Sequence, residues 1–217
     1  MIVGRLVDNP FVGRGANKGP IDNLMGMRPG TKLSAGERTK AKIATALEEL
    51  MSGRSFEGIT VMEIAEKAGI SRQTFYNHFF DKYDLVNWVY RQLILNTTCR
   101  IGIDMTWEQA VRTKLEIMKA NEAFYSEIYR LDDRSSPLSN EARIVFDSYQ
   151  GNLNRVTGKI LDEFEEYLLM LYCHGATRMT AEWAKSGMHI PVDTIVRADK
   201  MALPGFVQQV FFSEKIN

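Results

Sequence analysis

The sequence predicts an all-α protein in which an N-terminal three-helix bundle is followed by a larger helical domain. Two observations carry this prediction: apolar residues recur at three- and four-residue steps from residue 34 onward, and several of these segments begin with Ser or Thr three residues before Glu or Gln. Such pairs are capping boxes, whose side chains bind the free amides of a first helical turn. No segment shows the alternating polar and apolar pattern of a β-strand.

Residues 1–30 are predicted to be a flexible arm or a leader outside the fold. They hold six glycines and three prolines and show no apolar period that could define a helix. Met25 and Met27 precede the first helix signal, as an upstream start codon would leave them. A DNA-contacting arm is the third interpretation, with a local charge of only +2 from four basic and two acidic residues.

Four helices are predicted in the next part of the chain, up to about residue 99. Each begins at a Ser, Thr or Asp whose side chain can accept a hydrogen bond from a first-turn amide. Their predicted limits are Ser34 to Gly53, Thr60 to Gly69, Ser71 to about Asn77, and Asp81 to about Cys99. The fourth helix is long enough to connect two domains.

The rest of the chain continues in the helical pattern. The strongest period belongs to residues 162–186, where apolar residues follow one face until Gly187 ends the helix. The other predicted helices begin at Thr106 with Gln109, cover 121–131, run from Ser139 to about 156, run from a cap at Asp193 to about Leu203, and run from Phe206 to Phe212.

Composition and charge restrict the class of function. Lys and Arg number 27 and Asp and Glu number 27, so the chain as a whole is not attracted to nucleic acid and any DNA contact must be local. The sequence shows neither a secretory signal nor a run of ~18 apolar residues, so no membrane contact is expected. Cys99 and Cys173 lie outside any CxxC pattern, as in a reducing compartment, and we expect a cytoplasmic protein.

The sequence predicts no enzyme and no metal site. It lacks a Gly-rich phosphate loop, a nucleophile elbow and paired carboxylates at strand ends. Its three histidines form no i, i+4 pair, so no set of metal ligands is predicted. We therefore expect neither catalysis nor a cofactor.

Residues 60–79 predict a helix-turn-helix. Ala65 and Ala68 are small where two helices would cross closely, and Gly69 allows the left-handed backbone of a tight turn. Phe75 would be buried between the helices, which leaves the polar side chains of the second helix facing outward.

These outward side chains combine hydroxyls with planar donors and acceptors, which suit phosphate oxygens and base edges. Arg72 suits guanine and Gln73 suits adenine. The predicted DNA contacts are Ser71, Arg72, Gln73, Thr74, Tyr76, Asn77 and His78 on this helix, with Thr60 and Lys82 at neighbouring helix starts.

The segment resembles the DNA-binding domain of the TetR family of bacterial regulators over about residues 37–90. In that family a Thr begins the second helix, an Ile-Ala-x-x-Ala-Gly-x-Ser run forms the turn, a Thr-(aromatic or Leu)-Tyr-x-x-Phe run forms the recognition helix, and a Lys begins the fourth helix. The matching residues are Thr60, Ile64, Ala65, Ala68, Gly69, Ser71, Thr74, Tyr76, Phe79 and Lys82. Gln73 and Tyr83 differ from the commoner residues, so no operator sequence can be transferred.

The resemblance implies a DNA-binding domain at 31–80 and an effector-binding and dimerisation domain at 81–217. The run from Tyr172 to Gly187, with Trp183, resembles a C-terminal subgroup that includes dihydroxyacetone-kinase regulators. In the family the two last long helices pair across a two-fold axis. Such a dimer would set two recognition helices ~34 Å apart on a palindromic operator.

The resemblance thus implies a homodimeric repressor that a small-molecule effector of unknown identity releases through the fourth helix. A ligand-dependent activator is one alternative, and a helical interaction protein with weak DNA binding is another. Pockets between helices are mostly apolar, and the expected effector contacts are Trp88, Met118, Phe124, Phe146, Tyr149, Tyr167 and Tyr172. The expected dimer contacts are Leu168, Met179, Trp183, Ile195 and Met201.

Overall fold

The computed structural model describes residues 33–131 and 140–212, in which the regular elements are helices. The predicted arm, residues 1–30, and the predicted helix start at Ser139 lie outside these ranges. The helices are α1 Ala35–Met51, α2 Val61–Lys67, α3 Arg72–Tyr76, α4 Lys82–Asn96, α5 Trp107–Ala120, α6 Glu122–Arg130, α7 Glu141–Thr157, α8 Glu163–Lys185, α9 Val192–Ala202 and α10 Gly205–Phe212, with short 3-10 turns at Phe56–Gly58 and Thr98–Arg100.

Capping side chains begin most of these helices where the sequence predicted them. Complete capping boxes stand at Ser34, Thr60, Thr106 and Asp162. In each box the cap side chain accepts from an amide three residues later, while the acidic or amide side chain at that position accepts from the cap amide. The predicted starts of α1, α2, α5 and α8 are therefore confirmed.

One predicted cap is wrong. The helix expected to start after Asp193 begins at Val192 with Pro191 in the cap position. The proline ring fixes the φ of Pro191 at −58°, and its carbonyl accepts from the Ile195 amide at 3.3 Å, as the first bond of the helix. Asp193 instead lies in the first turn, where its carboxylate accepts from Arg112 of α5 at 2.5 Å.

Helices α1 to α3 form the small N-terminal bundle, and α4 leads from it into the larger domain. The bundle interior is apolar, with Leu47, Ile64 and Phe75 each at 0% exposure. Helix α4 packs against α1 at one side and against α7 at another. A shift of α4 would therefore change packing contacts in both parts of the chain.

The larger domain packs α8 against α6 and α7, and α9 against α5. A buried carboxyl joins three of its helices, because Glu141 of α7 accepts hydrogen bonds from Tyr90 of α4 and Tyr129 of α6. Burial raises the pKa of Glu141, while the two phenols and the positive charge of Lys114 act in the opposite direction. This group fixes α4 to the interior of the larger domain.

The turn after α2 requires a glycine. Gly69 has a φ of +65°, and the amides of Gly69 and Ile70 donate to the carbonyls of Glu66 and Ala65 at 3.0 Å. This is the Schellman arrangement, which ends a helix on a left-handed residue.

Replacing Gly69 with Ala is expected to lower the free energy of unfolding by about 1–2 kcal/mol, because a side chain is strained in the left-handed region. A Cβ at this position would meet no atom within 4 Å, so the cost is conformational alone. Urea unfolding would measure the change. Gly53→Ala is the matched control, since Gly53 also has open space and carries no positive φ, and equal stability of the two variants would contradict the strain.

Candidate nucleic-acid interface

The turn and the cap of α3 set the direction of the second helix of the helix-turn-helix. The Ser71 hydroxyl accepts from the Thr74 amide at 3.0 Å and lies 2.9 Å from the Thr74 hydroxyl. Phe75 is fully buried, with its ring 5.8 Å from that of Phe79. Because Phe75 fixes the inner face of α3, the residues on its other faces point to solvent.

Two side-chain pairs lie along the exposed surface of α3. The guanidinium of Arg72 lies 5.5 Å from the ring centroid of Tyr76 and donates to its hydroxyl at 3.4 Å. The amide nitrogen of Gln73 donates to Asn77 Oδ1 at 3.1 Å. All four side chains are exposed. Each pair is of the i, i+4 kind and holds planar groups along the helix while other donors and acceptors stay free for a base edge.

The predicted contact at Thr60 lies inside a capping box. Its hydroxyl donates to Glu63 Oε2 at 2.8 Å and accepts from the Glu63 amide at 3.2 Å. Arg54 donates to the other oxygen of Glu63 at 2.6 Å. Arg54, and then the amide and hydroxyl of Thr60, lower the pKa of Glu63 to about 2. Thr60 therefore defines the start of α2. The Glu63 carboxylate in this capping box stays ionised in neutral solution, where a negative charge near the helix start is favourable.

The predicted contact at His78 lies beside α1. Its side chain is half-buried, and a Cβ built on Gly36 would come within 3.8 Å of the His78 ring. His78 thus lies between the end of α3 and the first turn of α1.

Lys82 stands at the start of α4, as the sequence predicted, and its side chain is bound to backbone carbonyls of the segment before α2. Its ammonium donates to the carbonyls of Phe56, Glu57 and Ile59 at 2.8, 3.0 and 3.0 Å. Burial lowers the pKa of Lys82. Since all three ammonium hydrogens have acceptors inside the protein, a phosphate contact would have to compete with them. The sequence carried no sign of this role, because the 3-10 turn Phe56–Gly58 shows no helical period.

The residues predicted to bind an effector lie at several places in the described part of the chain, and their contact with an effector stays a prediction. Met118, Phe124, Phe146 and Tyr149 are packed in the core at 0–4% exposure. Trp88 belongs to α4 and packs against the N-terminal bundle, with its ring 5.8 Å from that of Phe79. Tyr167 is 69% exposed, and Tyr172 lies at a groove between α8 and α9. A helical period cannot separate pocket residues from core residues, which is why the prediction scattered.

The groove between α8 and α9 collects most of the residues predicted for dimer contact. It has a volume of about 590 Å³ and is lined by Leu168, Met179, Trp183 and Ile195 among others. The fifth predicted residue, Met201, is 80% exposed on α9 and does not line it. Trp183 is itself buried and donates to the Ile190 carbonyl at 2.9 Å.

The groove is mainly apolar, and it lies open. Leu171 is 56% exposed and Met179 is 64% exposed, and among the described residues that line the groove Asp199 is the one with a charged side chain.

Across residues 33–131 and 140–212, no helix is long and apolar enough to cross a membrane. In the same part of the chain no group of three or more His, Cys, Asp or Glu side chains is placed to hold a metal ion.

Two family profiles match the chain. The profile described as bacterial regulatory proteins, tetR family, matches residues 43–89. The profile described as transcriptional regulator C-terminal region matches residues 105–201. The HTH-type dhaKLM operon transcriptional activator DhaS of Lactococcus lactis is 31% identical over 98 residues, which are 43% of this chain and 50% of that protein. The match therefore spans half the length of this relative.

Solved structures share the fold at lower identity. The dihydroxyacetone kinase operon activator DhaS has a TM-score of 0.52 at 20% identity, over 82% of this chain and 98% of its own. The TetR family repressor AlkX from Dietzia sp. has a TM-score of 0.51 at 16% identity, over 78% and 98%. Thermus thermophilus FadR, a TetR family repressor in complex with lauroyl-CoA, has a TM-score of 0.52 at 16% identity, over 76% and 94%. The predicted all-α architecture is confirmed.

Proposed function

Because the chain belongs to the TetR family of transcriptional regulators, we propose that it binds palindromic operator DNA as a homodimer and releases it in response to a small molecule. The family match confirms the resemblance expected from the sequence, and the chain is a regulator with a helix-turn-helix DNA-binding domain.

One observation carries the DNA-reading part of the proposal. Helix α3 presents the pairs Arg72 with Tyr76 and Gln73 with Asn77 on its exposed surface, immediately after a capped start. A bidentate arginine suits guanine and a bidentate amide suits adenine in the major groove. The hydroxyls of Ser71 and Thr74, beside the helix start, suit phosphate oxygens.

The proposed dimer uses the groove between α8 and α9. Exposed apolar surface of this extent is stabilised by covering it with another protein surface. Two copies related by a two-fold axis would place Leu168, Met179 and Ile195 of both chains in one seam, which is the self-complementary arrangement of an isologous interface. Two reading helices would then contact successive turns of DNA from one face.

The proposed effector is a small molecule that binds to the larger domain. The protein represses transcription while it is bound to the operator, and effector binding causes it to leave the operator. Two structural neighbours, AlkX and FadR, are described as repressors, and FadR is in complex with lauroyl-CoA. A ligand of this chain must bind more tightly to one arrangement of the two DNA-binding domains in the dimer. Equal affinity for both arrangements would leave their populations unchanged. The family is one of regulators, and we propose that the chain has no catalytic activity and acts in the cytoplasm.

The alternative is a ligand-dependent activator. Its specific support is the Lactococcus lactis relative, which is described as a transcriptional activator. A promoter fusion in the presence and absence of the regulator separates the two signs of regulation: lower transcription with the regulator supports repression, and higher transcription supports activation.

Selection of bound duplexes from random DNA at near-physiological salt tests the proposal. We expect the wild-type chain to enrich a palindrome with half-sites about 10 base pairs apart, centre to centre. Enrichment of a single half-site would refute the dimeric reading. Absence of any enriched sequence, with and without a panel of metabolites, would favour the helical interaction protein.

A further inference from the structure

The 3-10 turn Phe56–Gly58 receives its cap from the other domain. A helix start leaves amides without partners inside the helix, and Ser55, which precedes this turn, makes no side-chain cap bond. The amide of Phe56 instead donates to Glu127 Oε1 at 3.1 Å. Glu127 belongs to α6, so a side chain of the larger domain satisfies a backbone group of the DNA-binding domain.

The same turn is bound to the start of α2 and to α4. The Lys82 ammonium of α4 donates to the carbonyls of Phe56 and Glu57 in the turn and of Ile59 just after it, and it lies 4.5 Å from the centroid of the fully buried Phe56 ring. Arg54 donates to the Gly58 carbonyl and to Glu63 Oε1, both at 2.6 Å. A displacement of the turn would therefore displace the capping box that begins α2.

Helix α6 is in turn bound to α8. The Ser126 hydroxyl donates to the Ala184 carbonyl at 2.8 Å in a buried position, and Arg130 donates to the Lys185 carbonyl at 3.1 Å. Helix α8 also lines the apolar groove. A continuous series of hydrogen bonds thus leads from the end of α8 through α6 to the Phe56 amide, and it does not pass through α4.

We propose that Glu127 is a positioning residue that fixes the DNA-binding domain, α1 to α3, relative to α6 and α8. It would act in parallel with the covalent connection through α4. The bond joins a carboxylate to a partly buried amide, and such charge-assisted bonds are stronger than neutral ones. A movement of α6 by the length of one hydrogen bond would break this contact and leave the turn without its tie to α6, although Lys82 would still hold it from α4. This inference rests on the proposed function, because it concerns how the head that reads DNA is held.

Three variants of Glu127 and one control test the role. Glu127→Ala removes the acceptor, Glu127→Asp keeps the charge but shortens the reach, and Glu127→Gln keeps an oxygen at the same distance. Glu122→Ala is the matched control, since Glu122 is an exposed carboxylate on the same helix, beside Gly187. Two quantities are measured: amide hydrogen exchange of the peptide from Arg54 to Ile59, and the Kd for the selected operator by fluorescence anisotropy.

We expect Glu127→Ala and Glu127→Asp to speed exchange of the Phe56 amide about tenfold or more and to weaken operator binding by about five- to tenfold, since a donor left without its partner loses a bond of this strength. Glu127→Gln is expected to fall between Glu127→Ala and the wild type in both measurements, because its neutral oxygen accepts a weaker bond than the carboxylate does. Glu122→Ala is expected to stay within about twofold of the wild type.

Faster exchange with unchanged operator affinity would overturn the proposal, because the contact would then exist without positioning the head. Unchanged exchange in the Ala and Asp variants would overturn it as well, since the bond would be absent in solution. Failure of the proposed function is distinguishable, because the wild-type chain would then select no operator, whereas the exchange measurement needs no DNA. If Glu127→Ala does not fold, the Asp and Gln variants make the same comparison.

Discussion

Replacing Arg72 with Ala is expected to lower affinity for the selected operator by about 30-fold or more. A bidentate contact to a base contributes about 1–3 kcal/mol of discrimination, and a dimer loses the contact twice. The side chain is exposed at the start of α3 and stacks against Tyr76, so its removal leaves the bundle core untouched. Anisotropy titration against the operator, and against duplexes changed at one position, would measure the loss and the relaxed base preference.

Arg155→Ala is the matched control for charge. Arg155 is an exposed arginine on α7, in the larger domain. Its replacement by Ala removes the same positive charge without changing α3. We expect this variant to bind the operator as the wild type does. Should Arg72→Ala retain both the affinity and the base preference of the wild type, α3 would not be the reading helix.

Replacing Met179 with Glu is expected to dissociate the dimer and to weaken operator binding by about 100-fold or more. The new carboxylate would face the same groove in both copies, and taking an ion out of water without a partner costs several kcal/mol. A monomer also contacts only one half-site of the operator. Operator affinity therefore falls by more than the loss of the dimer contacts would cause on its own. Sedimentation equilibrium would measure the association, and anisotropy the DNA affinity.

Ile103→Glu is the control for this substitution. Ile103 and Met179 have nearly equal exposure, 62% and 64%, but Ile103 does not line the groove. We expect the control to remain a dimer with normal operator binding. A Met179→Glu protein that still sedimented as a dimer would place the seam elsewhere on the molecule.

Local chemistry explains which parts of the fold were predictable. A capping box needs only two side chains three residues apart, as at Thr60 with Glu63, and a Schellman turn needs one residue that tolerates positive φ, as at Gly69. Both are satisfied within a single turn of chain, so the residue pattern is sufficient. The cap at Asp193 was mistaken because an acidic residue is favoured both in the cap position and in the first turn, so the residue pattern alone does not distinguish the two places.

The exposed polar surface of α3 was predictable for a related reason. Once Phe75 is identified as the inner residue of a short helix, the positions of Arg72, Gln73 and Tyr76 follow from helical geometry. The roles of Lys82 and Glu127 could not be deduced in this way. Their partners lie 23 to 26 residues and 71 residues away along the chain, and the identity of those partners depends on how the helices pack.

The residue pattern was sufficient for the all-α class, most of the helix starts, the helix-turn-helix and the polar face of α3, because each depends on interactions within about one to three turns of helix. The packing of the helices was needed to see that Lys82 holds the turn before α2 and that Glu127 caps this turn from α6. It was also needed to see that Met118 and Phe124 are core residues while Met179 lies in an open groove. An apolar side chain has the same helical period whether it faces the interior, a cavity or a second chain, so only the packing of the helices distinguishes these places.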